Sequence, residues 1–206
     1  MNQPELFNPF GCYLLKHKVP DGIFKALSDE VDSVRGQLKD EEFVRDNNFA
    51  EYLAGRNSYQ IRLDDKYATQ NDIYSYVLSL GQHYLEQLGI VKQIRMGSIW
   101  INYGYKGDFN PIHTHDALLS GCFYMSQDDG IMQEQEAGSH GRATSGIPGM
   151  THFVHDLNYS PLNKFTYSNK FVKGELIMFP SFLTHWVNPF QTDGERVTIA
   201  FNILEA

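Results

Sequence analysis

The apolar pattern changes period at Val91, and this change constrains the fold more than any other feature of the chain. Before it, apolar residues recur at helical spacing. After it, they recur every second residue or in short runs bounded by turn residues. Ile99, Ile101 and Tyr103 alternate with Trp100 and Asn102, so the two sets point to opposite faces of a strand. Ala117 to Met125 (ALLSGCFYM) reads as a short buried strand, and Thr151 to Leu157 as an edge strand. Glu175 to Pro180 and Glu195 to Leu204 read as further strands. A series of short strands predicts a mainly β fold with N-terminal helices, in the form of an antiparallel sandwich or jelly roll.

The N-terminal part is read as the support for that β unit. Gly11 to Lys18 alternates loosely and is predicted as a first strand. Pro20 suits the opening turn of a helix, where a missing N–H costs nothing. Ile23, Phe24, Leu27, Val31 and Val34 form its apolar stripe, with Gly36 as the expected stop. Lys39 to Asp65 is polar and mixed, with no assignable period. A second helix is predicted from an Asn71 cap to about Leu88, with Ile73, Val77, Leu80, Tyr84 and Leu88 on one face and Gly89 as the stop. Gln127 to Gly149 is rich in Gly, Ser, Asp and Glu and reads as a loop. The 206 residues are expected to form one domain, with residues 1–90 as a strand and supporting helices and residues 91–206 as the β core. The segment 127–173 would be a long insert over one end of it, shaping a pocket.

Charge and composition exclude several classes. A formal net charge of -8 argues against a nucleic-acid partner. No apolar run is long enough to cross a membrane, and Met1-Asn2-Gln3-Pro4-Glu5 lacks the basic and apolar parts of a signal peptide. Cys12 and Cys122 do not make a disulfide framework, so a cytoplasmic location is expected.

His113 and His115 are two apart on an extended segment, so both side chains reach the same side and one metal ion. His185, in a second strand-like run, is the third candidate ligand. Imidazole suits iron, zinc, copper and nickel alike. The third ligand is either His115 or Asp116, the latter needing an irregular backbone to turn inward. His17, His83, His140, His152 and His155 have no comparable context and read as ordinary polar residues. Arg196 and Thr198 are also two apart, on an otherwise apolar strand. A guanidinium facing a dry interior needs an anionic partner, and its planar fork matches a carboxylate. Together these residues suggest an iron site that also holds a small dicarboxylate.

At this point the chain resembles the Fe(II)/2-oxoglutarate-dependent oxygenase superfamily, most closely its small bacterial and phage members. The resemblance rests on His113-Thr114-His115, on Ser120-Gly121-Cys122-Phe123-Tyr124, on Phe179-Pro180 through His185, and on Glu195-Arg196 through Phe201-Asn202. It covers roughly Ser98 to Leu204. It implies a double-stranded β-helix, Fe(II) held by the histidines, and 2-oxoglutarate as co-substrate with its distal carboxylate on Arg196 and Thr198. It also implies that Asn102, Tyr105 and Tyr124 add hydrogen bonds to the co-substrate, and that Trp100 and Trp186 line the pocket or serve the core. The reaction implied consumes O2 and hydroxylates a substrate, giving succinate and CO2.

A second resemblance competes. Gly107 six residues before His113, and Gly174 through Pro180 to His185 and Asn188, echo the two cupin motifs, although the expected glutamate is absent. That reading predicts a three-histidine metal enzyme without 2-oxoglutarate, or a non-catalytic ligand-binding module. Arg196-Val197-Thr198 favours the oxygenase. The substrate is expected to be a small molecule or a peptide, with a prolyl or other amino-acid side chain suggested by family analogy alone. A homodimer through an edge strand is a further expectation.

Overall fold

In the computed structural model, residues 4–8, 12–50, 55–63, 72–138, 147–155 and 166–206 are described. Strands and helices are numbered along the chain. Seven strands form one sheet in the order β1 (Glu5–Phe7), β2 (Leu14–Lys18), β9 (Glu175–Pro180), β6 (Leu119–Gln127), β11 (Arg196–Glu205), β4 (Ile94–Gly104), β3 (Tyr59–Arg62). Four form a second sheet in the order β5 (Asn110–His113), β10 (Thr184–Val187), β7 (Thr151–Val154), β8 (Thr166–Asn169). All pairings are antiparallel. The chain is mainly β, and the two antiparallel sheets make the jelly roll that the patterning predicted.

Period two divides the large sheet into two environments. Ile99, Ile101 and Tyr103 of β4, and Val197, Ile199, Phe201 and Ile203 of β11, face the helices and join one core cluster. Into the same cluster α1 (Asp21–Gln37) sends Leu27, Val31 and Val34, and α3 (Asp72–Gln87) sends Ile73, Val77, Leu80 and Tyr84. Each such burial contributes roughly 1.5–3 kcal/mol. A smaller cluster, including Leu14, Phe153, Ile177 and Phe179, fills part of the space between the sheets. Beside it lies a cavity lined partly by polar side chains, and this holds the site.

Several expectations need correction. β2 begins at Leu14, while Gly11 lies outside the described residues, as does the Asn71 cap. Helix α1 passes through Gly36 to Gln37, with Leu38 as its C-cap, because Gly36 keeps helical backbone there and nothing requires a left-handed residue. Gly89 does take φ +68 and closes the second helix as expected. The unassigned stretch 39–65 contains α2 (Glu41–Asn47), capped by the Asp40 carboxylate, and β3. Residues 127–173 are not one hanging loop. They contain α4 (Asp129–Gly138), β7 and β8, with the part read toward Leu157 outside the described residues. α4 escaped notice because Ile131 is its one buried anchor, too little for a periodic signal. β7 is not an edge strand. It pairs with β10 on one side and β8 on the other, and all four of its residues are buried. β1, β2 and β3 of the N-terminal part extend the large sheet rather than merely supporting it.

Candidate metal centre

The small sheet positions the histidines. His113 ends β5, and His185 lies directly opposite it on β10. His115, just past β5, is held by its backbone N–H donating to the Ser181 carbonyl at 3.0 Å. The three rings meet, with centroids 4.2 Å apart for His113 and His185, 4.9 Å for His113 and His115, and 5.0 Å for His115 and His185. One nitrogen from each lies within 4.8 Å of the others. The Nε2 atoms of His115 and His185 are 3.2 Å apart.

Backbone carbonyls set two of the tautomers. His113 Nδ1 donates to the Pro111 carbonyl at 2.7 Å and His185 Nδ1 to that of Leu183 at 2.9 Å. Each ring is thereby left with its Nε2 lone pair free, the form a metal needs. Burial lowers the His113 pKa. It also lowers that of His115, to about 4, with help from neighbouring His113. Burial and then the adjacent His113 hold His185 well below its ordinary value. The cluster is a set of three neutral nitrogen donors, and this donor set fits a divalent transition metal. Asp116 is exposed and stands outside the cluster.

The large sheet supplies the cation. Arg196 opens β11, beside β6 and β4, and is 7% exposed. Its Nη2 donates to Thr151 Oγ1 at 3.3 Å, whereas its buried Nε has no hydrogen-bond partner. The Tyr124 and Phe171 rings flank the guanidinium at 5.9 and 5.7 Å. Burial lowers its pKa, opposed by Tyr124 and Cys122. No carboxylate pairs with it among the described residues. Thr198 accepts from Asn102 Nδ2 at 3.2 Å, which leaves its hydroxyl proton to donate elsewhere. Asn102 in turn accepts from Trp100 Nε1 at 3.1 Å.

One cavity between the sheets is lined by all three histidines together with Asn102, Arg196 and Thr198. Tyr105 is not there. It falls on the helix-facing side of β4's continuation, donates to Glu195 Oε1 at 2.9 Å, and packs against the helix-side core. Tyr124 points toward the small sheet but sits behind Arg196. Its hydroxyl donates to Thr151 and accepts from Asn169 Nδ2, so it braces the cation. Trp100 lines the cavity; Trp186 stacks instead on His152 at 5.0 Å on the far face of the small sheet. His152 is fully buried and bonded to Ser168 and Asn188, which makes it structural. Thr151 was missed, since a lone threonine beyond a glycine-rich stretch has no distinguishing pattern. Asn169, on the short β8, was missed for the same reason.

Residues 98–202 match the family described as "Putative 2OG-Fe(II) oxygenase". Three solved structures share the fold. A prolyl-4-hydroxylase of Pseudomonas putida is 15% identical at a TM-score of 0.56, over 92% of this chain and 91% of that one. A viral collagen prolyl hydroxylase of Paramecium bursaria Chlorella virus-1, in complex with 2-oxoglutarate, is 14% identical at 0.53, over 95% and 97%. HygX of Streptomyces hygroscopicus, with nickel, 2-oxoglutarate and hygromycin B bound, is 11% identical at 0.53, over 94% and 83%. No curated protein matches the sequence.

Proposed function

The chain belongs to the 2OG-Fe(II) oxygenase family, and from that premise we propose that His113, His115 and His185 hold the iron of a 2-oxoglutarate-dependent hydroxylase whose co-substrate is anchored by Arg196 and Thr198. As a family member the chain is a 2-oxoglutarate-dependent non-haem iron dioxygenase, with Fe(II) and 2-oxoglutarate as its cofactor and co-substrate. Supporting this assignment of residues is one observation above others. A buried, flanked guanidinium with an unpartnered Nε lies on the same cavity as three converging imidazoles. A dicarboxylate bridging the two ends would supply the missing partner. A cupin-type enzyme without an oxo acid has no use for that cation.

Bound iron supplies the activation of O2 that couples decarboxylation of 2-oxoglutarate, to succinate and CO2, with insertion of oxygen into a substrate C–H bond. The remaining work is done by the chain. The Pro111 and Leu183 carbonyls fix the His113 and His185 tautomers so that their lone pairs point inward. Thr151 and Tyr124 hold Arg196 against rotation, and Asn102 orients the Thr198 hydroxyl toward an acceptor. Phe179 packs edge-on against His185 at 4.8 Å and keeps water from its buried side.

The third iron ligand is His115 in this reading. The prime substrate is a peptidyl proline or another amino-acid side chain, the support being the resemblance in fold to two prolyl hydroxylases. The deciding experiment is an anaerobic titration of metal-free protein with Fe(II) and then 2-oxoglutarate, followed by visible absorbance. A weak charge-transfer band that is lost in Arg196→Ala is the expected result. Iron binding with no such band would overturn the co-substrate assignment.

A further inference from the structure

A second, larger cleft shares His113, His115 and Trp100 with the cavity above, and it opens away from them toward β3 and α2. Its far end is built from Phe49, Arg62 and the outer face of Ile112. The groups succeed one another in even steps. The His115 and Trp100 rings are 6.0 Å apart, Trp100 and Phe49 meet edge-on at 6.0 Å, and the Arg62 guanidinium lies 5.0 Å over the Phe49 ring. Ile112, which also lines the cleft, is 66% exposed. A row of aromatic rings therefore runs from the histidines to the Arg62 cation.

Arg62 is exposed and makes no ion pair with any described residue. Among the described residues lining the cleft it is the one side chain carrying a formal charge, in a protein of net charge -8. The cation–π contact with Phe49 restrains the guanidinium, whose N–H groups make no ion pair among the described residues. A guanidinium fork pairs with a planar carboxylate, and a cation whose described neighbours along the cleft are uncharged attracts one selectively.

We infer that this cleft receives the prime substrate, and that the substrate carries a carboxylate paired with Arg62 and an apolar body laid along Phe49 and Trp100. The inference rests on the proposed function only for what happens at the histidine end. The carboxylate belongs either to a free acid or to an acidic side chain in a peptide, and both present the same group to Arg62.

The test uses the full chain and its two tryptophan indole N–H resonances, assigned with Trp186→Phe. Trp100 lines the cleft and Trp186 does not. The titrants are 3-phenylpropanoate and 3-phenylpropanamide, then acetyl-Glu-Pro-Phe amide and its Gln counterpart. They are run with and without Zn(II) and saturating 2-oxoglutarate, so that a carboxylate cannot report from Arg196. The expected result is a shift of the Trp100 resonance and not that of Trp186. At least one of the acids should bind about tenfold more tightly than its amide, and Arg62→Gln should erase that preference. Equal affinity for both acids and their amides, or a preference that survives in Arg62→Gln, overturns the inference. A wild-type protein that binds 2-oxoglutarate yet shows no Trp100 shift overturns the inference alone. Failure to bind 2-oxoglutarate overturns the co-substrate assignment instead, and the comparison of wild type with Arg62→Gln, which leaves Arg196 in place, still decides the cleft.

Discussion

Replacing Arg196 by methionine should make the metal-free protein more stable while destroying its affinity for 2-oxoglutarate. Arg196 is 7% exposed, its Nε has no partner among the described residues, and its Nη2 donates to Thr151 Oγ1 at 3.3 Å. A charge held in that condition costs stability until its counter-ion arrives, and apolar replacement of buried ionic groups is often stabilising by about 1–4 kcal/mol. Methionine fits between the Tyr124 and Phe171 rings and relieves the cost. At about 2–4 °C per kcal/mol for a domain of this size, the melting temperature should rise by roughly 2–16 °C. Binding should change in the opposite sense. A bidentate contact makes two charge-assisted hydrogen bonds worth roughly 1.5–3 kcal/mol each, so its loss weakens 2-oxoglutarate by about 10²- to 10⁴-fold. Urea denaturation of the apo-protein and calorimetric titration of 2-oxoglutarate with Ni(II) present measure the two effects. A variant at least 1 kcal/mol less stable than wild type that keeps its 2-oxoglutarate affinity would show that Arg196 is a structural cation, and the reasoning would fail.

Three further outcomes follow from the same geometry. His185→Ala should abolish stoichiometric Fe(II) binding with the far-ultraviolet circular dichroism intact; His115→Ala should weaken iron far more than Asp116→Ala, and the reverse order in a metal titration would move the third ligand to Asp116. Metal-free stability should fall as pH drops below about 6.5. His113, His115, His152 and His185 all have folded pKa values lowered mainly by burial. The unfolded chain then binds more protons, and the stability present above its histidine pKa is lost as pH falls toward the value of about 4 for His115; urea midpoints that coincide at pH 7 and pH 5 would contradict this. Gly121→Ala should destabilise the fold by about 1–3 kcal/mol, because the new methyl would stand 2.4 Å from Phe201 Cζ and 2.6 Å from the Ile177 carbonyl, which a denaturation curve would reveal.

What could be read from the sequence follows the strength of local pattern. β9 was bounded correctly and β11 to within a residue, because both alternate or run apolar between turn residues. The faces of α1 and α3 were legible because five apolar residues on each recur at helical spacing. The short elements β1, β3 and β8 were not, since three or four residues cannot display a period and their pairing is decided by distant partners. At the site, the spacing of His113 and His115 and of Arg196 and Thr198 carried most of the information. Tyr105 was an avoidable error. It shares parity with Tyr103, a core residue, and differs in parity from Asn102, so the alternation that brings Asn102 to the cavity puts Tyr105 on the other face. Trp186 fails by the same rule, being one residue from the inward His185. Thr151 and Asn169 were beyond reach, because their importance lies in what they touch across the sheets.

The same parity ties the site to the core. Along β11, Val197, Ile199, Phe201 and Ile203 are fully buried against the helices, while Arg196 and Thr198, the alternating residues, face the cavity. β11 is hydrogen-bonded on both sides, to β6 and to β4. A slip of one residue against either neighbour would expose four core side chains and turn Arg196 and Thr198 toward the helices. Burying those four contributes roughly 6–12 kcal/mol at 1.5–3 kcal/mol each, more than enough to fix the register alone. The two polar residues, an uncompensated buried cation among them, therefore need contribute nothing to folding. They are carried into place by the apolar face of their own strand, and this is why a site with a net cost to the empty protein can be held in one geometry.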